Sequence, residues 1–389
     1  MFSDFDHAMM QRALALAENG LFTTTPNPRV GCVLVRDDTI IGEGFTQPAG
    51  QDHAEIQAIK DAQARGHDVR GATAYVTLEP CSHFGRTPPC ADRLVEAGVA
   101  RVVAAMEDPN PAVSGRGLQK LREAGIDVRC GLLEREAREL NIGFVSRMTR
   151  GTPWVRVKVG ASLDGRTALD NGVSQWITET EARNDGHRWR ARACAILTGI
   201  GTVREDNPRL TVRAIPTPRQ PRRILVDSGL DVPLDARILT ADDHHAPTLI
   251  FAARPEAGRM RALAEHGAEV ILLPNADGKV DLPAMLRELG RREINELHVE
   301  AGYKLNGSLL REGLVDEILV YLAPKVLGSG QGMFNLGPLQ SLEGAAAFFF
   351  TTSRASAAIS ASWRAATRQT ERTDPLPYVH WNRRRHRPH

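Results

Sequence analysis

A chain of 389 residues, with 42% hydrophobic and 25% charged residues, has the balance of a soluble globular protein and is long enough for two domains plus a remnant. A net charge of +2 excludes a chain-wide pull toward nucleic acid or membrane, although arginines collect after Phe349 and leave a basic tail on a mildly acidic body. Five irregularly spaced cysteines are read as reduced; with no basic-apolar leader and no apolar stretch of the ~18 residues a membrane helix needs, the expectation is a cytoplasmic protein.

The first 147 residues alternate helix and strand. Asp4 is expected to cap a helix whose positions Met10, Leu14, Ala17 and Leu21 share one face. Residues 30–35 and 40–46 read as an antiparallel pair turning at Asp37 and Asp38, and a helix follows over residues 53–65. A strand at 73–79, a helix at 89–97, strands at 100–106 and 126–130, and helices from Gly117 and Glu134 complete an α/β unit. The periodicity breaks over residues 147–153, which places a domain boundary at 147/148. A second α/β unit is expected over 148–350, with strands near 154–160, 195–198, 223–227, 248–251, 269–273, 296–299 and 317–321. Residues 351–389 read as a weakly ordered, atypical tail.

Three short features carry chemistry: His53-Ala54-Glu55, Pro80-Cys81, and Cys90 after Pro88-Pro89. One imidazole and two thiolates are donors that Zn2+ prefers, and three protein ligands leave a position open for catalysis. Cys90 would sit at a helix start, which lowers a thiol's proton affinity. Glu55, two residues past His53, can turn toward the reacting water and shuttle its proton. Histidine-x-glutamate, then proline-cysteine and a second cysteine, is the pattern of zinc-dependent base deaminases. A closed structural zinc site with His83 as fourth ligand would use the same residues but leave Glu55 without a task. His83 is instead read as a substrate contact, and Cys32, Cys130 and Cys194 as core residues.

The cysteines are separated by eight residues, where nucleic-acid deaminases use two. The stretch Thr77-Leu78-Glu79-Pro80-Cys81-Ser82-His83-Phe84-Gly85-Arg86-Thr87-Pro88-Pro89-Cys90, with Thr25-Pro26-Asn27-Pro28-Arg29-Val30-Gly31, closely resembles the bifunctional deaminase–reductase family of riboflavin biosynthesis. So do Lys158-Val159-Gly160-Ala161-Ser162-Leu163-Asp164-Gly165-Arg166-Thr167-Ala168, Ser174-Gln175-Trp176-Ile177, residues 201–213 and Val299-Glu300-Ala301-Gly302. The resemblance implies a cytidine-deaminase-like α/β/α domain followed by a dihydrofolate-reductase-like α/β domain. It implies a small phosphorylated pyrimidine as substrate, Zn2+ and NADPH as cofactors, and a homo-oligomer, expected to be a dimer.

By the same resemblance, His53, Cys81 and Cys90 would hold the metal and Glu55 would be catalytic. Asn27, His83, Lys158, Ser174, Arg190, Leu210, Arg213 and Glu300 would contact substrate. Gly160, Trp176, Thr202, Asp206, Ser228, Gly302, Gly307 and Ser308 would bind NADP. The family's reductase ends on a strand that completes its sheet, and nothing after Ala346 reads as that strand. An inactive reductase half on an incomplete sheet is therefore the second expectation. A nucleic-acid deaminase or basic-tail binder is the third, disfavoured by the cysteine spacing and the acidic body.

Overall fold

The computed structural model describes residues 1–82, 89–111, 113–240, 246–355 and 359–365. In the first unit, α1 (Asp4–Ala17) is followed by β1 (Gly31–Arg36), β2 (Thr39–Phe45), α2 (Ala54–Ala64), β3 (Thr73–Val76), α3 (Cys90–Glu96), β4 (Arg101–Ala104), α4 (Arg116–Glu123), β5 (Asp127–Cys130), α5 (Glu134–Leu140) and α6 (Ile142–Arg150). Its sheet has the order β2-β1-β3-β4-β5, antiparallel on the β1 side and parallel from β3 onward.

Ser3, not Asp4, caps α1. Its hydroxyl accepts from the Asp6 N–H while the Asp6 carboxylate accepts from the Ser3 N–H, a reciprocal box that moves the cap back by one residue. Asp37 and Asp38 turn the β1–β2 hairpin with φ of 50° and 57°, a left-handed pair suited to the twist of the strands. Gly42 and Gly44 of β2 let α2 lie directly on the sheet, since a Cβ would come within 2.3 Å of the Ala58 carbonyl and 2.4 Å of the Ala54 carbonyl. That close seat fixes where α2 begins and so where His53 and Glu55 point.

The expected boundary at 147/148 falls inside α6, which continues to Arg150 and ends on Gly151 at φ 72°. The left-handed glycine is the true stop. The second unit contains β6 (Trp154–Ser162), β7 (Arg166–Ala168), α7 (Thr180–Arg192), β8 (Ala195–Gly199), α8 (Ile200–Asp206), β9 (Arg222–Val226), α9 (Arg237–Thr240), β10 (Thr248–Ala252), α10 (Ala257–Glu265), β11 (Ala268–Leu272), α11 (Leu282–Arg291), β12 (Glu296–Val299), α12 (Tyr303–Arg311), β13 (Glu317–Ala323), β14 (Gln331–Gly332), β15 (Phe348–Ala355) and β16 (Ile359–Ala365). Its main sheet runs β11-β10-β9-β8-β12-β6-β13-β16-β15, parallel as far as β13 and antiparallel beyond.

The expectation of no closing strand is corrected by β15 and β16. Ile359, Ala361 and Trp363 pair with Leu322, Val320 and Ile318, so β16 continues the sheet. Its apolar residues are spaced by two and mostly small, a strand period that a search for dense hydrophobicity passes over. Trp363 and Phe348 pack on the core, and the rings of Phe350 and Trp363 meet edge to face at 5.8 Å. The remainder of the expected tail, 366–389, lies outside the described residues.

Candidate functional site

His53 is the N-cap residue of α2, but its side chain makes no cap hydrogen bond, which leaves the imidazole to turn toward the cysteines. Cys90 opens α3, and Cys81 lies on the loop after β3. Their ligand atoms all lie within 4.8 Å of one another. His53 Nδ1 is 3.2 Å from Cys90 Sγ and 3.7 Å from Cys81 Sγ, and the Cys90 N–H donates to Cys81 at 3.3 Å. The hydrogen bond with Cys90, helped by His53, holds the Cys81 thiol well below the ordinary thiol range. Glu55 is 4% exposed, and burial, aided by the nearby Cys81 charge, pushes its carboxyl up to about 7. A carboxyl so placed exchanges protons near neutrality.

His53, Glu55 and Cys81 line a cavity of about 340 Å³ together with Asn27, Asp108, Phe144, Arg147 and Glu293. Glu79 shapes one wall: its carboxylate accepts from the backbone N–H groups of Asp108, Gly115, Gly117 and Leu118 at 2.7–3.3 Å. Burial pushes the Asp108 carboxyl up to about 7, against a hydrogen bond from the Asn110 N–H. Sequence reading missed Glu79, Asp108 and Arg147 as shapers of this cavity. Only the Asp108-Pro109-Asn110-Pro111 turn chemistry offered a signal. His83 lies outside the described residues.

A second cavity, of about 500 Å³, opens in the C-terminal unit. It brings together Lys158, Gly160, Ser174, Trp176, Thr202, Asp206, Arg190, Leu210, Arg213 and Glu300. Arg190 grips Glu300 through two bonds, of 2.5 and 2.9 Å, and also donates to the Thr211 carbonyl. Burial lowers the proton affinity of Lys158, and burial together with Arg190 and Arg213 pulls His187 down to about 4. Arg183, Arg209 and Arg237 add positive charge to the wall, an arrangement that fits a phosphate-rich ligand.

Four expected cofactor residues stand apart from that lining. Ser228 follows β9, and its hydroxyl accepts from the Val280 N–H. Gly302 is the N-cap of α12, where an added Cβ would sit 3.7 Å from Thr202 Oγ1. Gly307 is pressed against the chain at Asn335, 2.3 Å from a Cβ position to its carbonyl, and Ser308 donates to the Lys304 carbonyl. The stretch 302–308 is helix from Tyr303 onward, leaving Gly302 at its start. Cys32 is a core residue as expected. Cys194 is buried but polar in its contacts: it lies 2.8 Å from Thr25 Oγ1 and accepts from the Asn295 and Glu296 N–H groups where the units meet.

Residues 3–106 match the cytidine and deoxycytidylate deaminase zinc-binding region, and residues 153–356 match the RibD C-terminal domain. The chain is 47% identical over 352 residues to the riboflavin biosynthesis protein RibD of Escherichia coli, covering 89% of this chain and 95% of that one. It is 43% identical to the Aquifex aeolicus RibD over 343 residues, covering 88% and 93%. The Acinetobacter baumannii RibD structure superposes with a TM-score of 0.85 at 40% identity, covering 93% of this chain and 99% of that one. A Thermotoga maritima diaminohydroxyphosphoribosylaminopyrimidine deaminase/5-amino-6-(5-phosphoribosylamino)uracil reductase gives 0.82 at 34% identity with the same coverage. With a thiol–imidazole cluster in a deaminase-like unit and a cationic cavity in a reductase unit, the chain belongs to the RibD family and is a zinc-dependent deaminase and NADPH-dependent reductase of riboflavin biosynthesis.

Proposed function

We propose that the first unit removes the 2-amino group of 2,5-diamino-6-(5-phosphoribosylamino)pyrimidin-4(3H)-one, and that the second reduces the ribosyl group of the deaminated product to ribityl. The observation that carries this reading is the clustering of His53, Cys81 and Cys90 beside a cavity that His53, Cys81 and a buried Glu55 line. Two thiols and an imidazole suit Zn2+, with His53, Cys81 and Cys90 as its holders. Zinc there supplies the Lewis acidity that makes water a nucleophile at neutral pH.

Glu55 takes a proton from the attacking water and delivers it to the departing nitrogen, so the exocyclic bond between the ring carbon and the 2-amino nitrogen breaks with neutral ammonia leaving. Its raised proton affinity supports both halves of that transfer. Asn27 and Asp108 line the same cavity and present amide and carboxylate groups to the ring edge. His83 keeps its expected role as a substrate contact.

In the second cavity NADPH supplies hydride. Gly160, Trp176, Thr202 and Asp206 would hold it from the cavity lining, Gly302 and Ser228 from strand ends outside that lining, and Gly307 and Ser308 through the packing of α12. Ser174, Arg190, Leu210, Arg213 and Glu300 hold the sugar phosphate, and Lys158 donates to the sugar. Cationic lining and a bidentate Arg190–Glu300 pair that keeps the guanidinium oriented support this assignment.

The division of labour runs across Gly151, with deaminase before it and reductase after. The protein works in the cytoplasm as a dimer through its reductase unit, a reading supported by Phe349 and Phe350 exposed on edge strand β15. Among the described residues no helix is long and apolar enough to cross a membrane. Mass spectrometry of the products tests the reading: the first step exchanges an amino group for oxygen and the second adds two hydrogens. Failure of either change overturns that half.

A further inference from the structure

We propose that Arg147 holds the substrate's phosphate in the deaminase cavity, making this residue at the seam of the two units a determinant of deaminase specificity. The inference rests on the deaminase reading above. Arg147 lies in the last turn of α6 and lines the same cavity as His53 and Glu55. Among the described residues of that lining it is the one lysine or arginine, set against the carboxylates of Glu55, Glu79, Asp108 and Glu293. A phosphorylated pyrimidine brings a dianion into a cavity whose other charged side chains, among the described residues, are carboxylates and His53, so the one guanidinium there decides whether it is accepted.

The guanidinium is oriented from both sides. Its Nε donates to Asn295 Oδ1 at 2.6 Å and its Nη2 to the Pro26 carbonyl at 3.4 Å. Asn295 Nδ2 donates to that same carbonyl at 2.9 Å, closing a small ring of contacts between the Pro26 loop and the residue before β12. The Nη1 group makes no hydrogen bond among the described residues, so one edge of the fork is available to a phosphate oxygen. Burial lowers the proton affinity of the Arg147 guanidinium, and the Glu293 carboxylate, which also lines the cavity, works against that shift. The base then sits at the cysteine end with its phosphate at the seam, and the C-terminal unit, through Asn295, helps the N-terminal unit recognise its substrate.

The test is ammonia release by the zinc-loaded full chain, with the phosphorylated substrate and its phosphatase-treated counterpart as the two probes. Arg147→Ala raises the KM of the phosphorylated form by about tenfold or more, the worth of one hydrogen bond between charged groups, while the KM of the dephosphorylated form changes by less than about twofold. Arg147→Gln, which keeps a donor toward Asn295, gives the same split should the alanine variant fold poorly. Inorganic phosphate, a competitive inhibitor of wild type, inhibits neither variant. Equal rises in KM for both probes would overturn the inference and leave Arg147 a brace for the Pro26 loop. No rise for either probe overturns it as well. If zinc-loaded wild type releases ammonia from neither probe, the deaminase reading itself fails; if it does release ammonia and the variants do not discriminate, only the phosphate assignment fails.

Discussion

Arg29 Nη1 donates to Glu296 at 2.7 Å, an ion pair with side chains 9% and 1% exposed that ties the loop lining the deaminase cavity to the sheet of the reductase unit. Glu296 also accepts from Arg156 at 3.1 Å and Arg192 at 2.8 Å, and Arg156 pairs in addition with Glu317 at 2.9 Å, so two buried carboxylates balance three guanidinium groups. Glu296→Gln leaves Arg29 and Arg192 buried without their carboxylate, while Arg156 keeps Glu317, with an expected loss of about 3–5 kcal/mol in unfolding free energy. Burial alone would raise the Glu296 carboxyl, but Arg192, Arg29 and Arg156 together hold it below the usual carboxylate range. A depressed folded value means the stabilisation is present above the unfolded value of 4.5 and is lost as pH falls through the folded one. Thermal melts of wild type should steepen in their fall below that value, and the glutamine variant should start lower and show a shallower acid limb.

Glu55→Gln keeps the size of the side chain and removes its capacity to carry a proton. Ammonia release should fall by about a hundredfold or more with zinc content unchanged. Metal analysis alongside the ammonia assay checks this. Retained activity would return His53, Cys81 and Cys90 to a structural role.

Asp108 has the opposite linkage to Glu296. Its folded value is raised from 3.8 to about 7, burial being the main cause. The protonated form therefore favours the fold: this contribution is complete below 3.8 and is lost as pH rises through about 7. Asp108→Asn imitates the protonated group and should raise stability by roughly 2 kcal/mol at about pH 8, with a smaller gain at about pH 5. The same variant should weaken deaminase activity, a cost expected when a carboxyl is kept for function at the expense of stability. Denaturant unfolding at the two pH values reads the difference.

Trp363 joins β16 to the core of the reductase unit and meets Phe350 edge to face. Trp363→Ala should cost about 3 kcal/mol and lower NADPH oxidation more than ammonia release, since Trp363 packs on the core of the reductase unit. Parallel losses of both activities would contradict a local role for the closing strands.

The gathering of His53, Cys81 and Cys90 was legible because these are rare residue types in short motifs of recognisable spacing. Strands at 195–198 and 296–299 were likewise legible from their apolar runs, and they correspond to β8 and β12. Arg147, Asn295 and Pro26 were not: they are ordinary residues separated by more than a hundred positions, and only tertiary packing brings them together. The closing strand β16 escaped notice because Ile359, Ala361, Trp363 and Ala365 alternate with serine and arginine, so its mean hydropathy is low while its period is that of a strand. Gly307 illustrates a third limit. Its glycine character answers to the close approach of Asn335, which no sequence window around α12 could reveal.

The most direct test of the central claim follows NADPH oxidation and ammonia release together, in one tube, from zinc-loaded protein given the undeaminated phosphoribosylamino-diaminopyrimidinone. Two working sites predict that ammonia appears first and NADPH is consumed afterwards, in equal molar amounts at completion. Ammonia release with NADPH unchanged would contradict a competent reductase on the completed sheet, and silence in both signals would contradict the assignment of substrate to this chain.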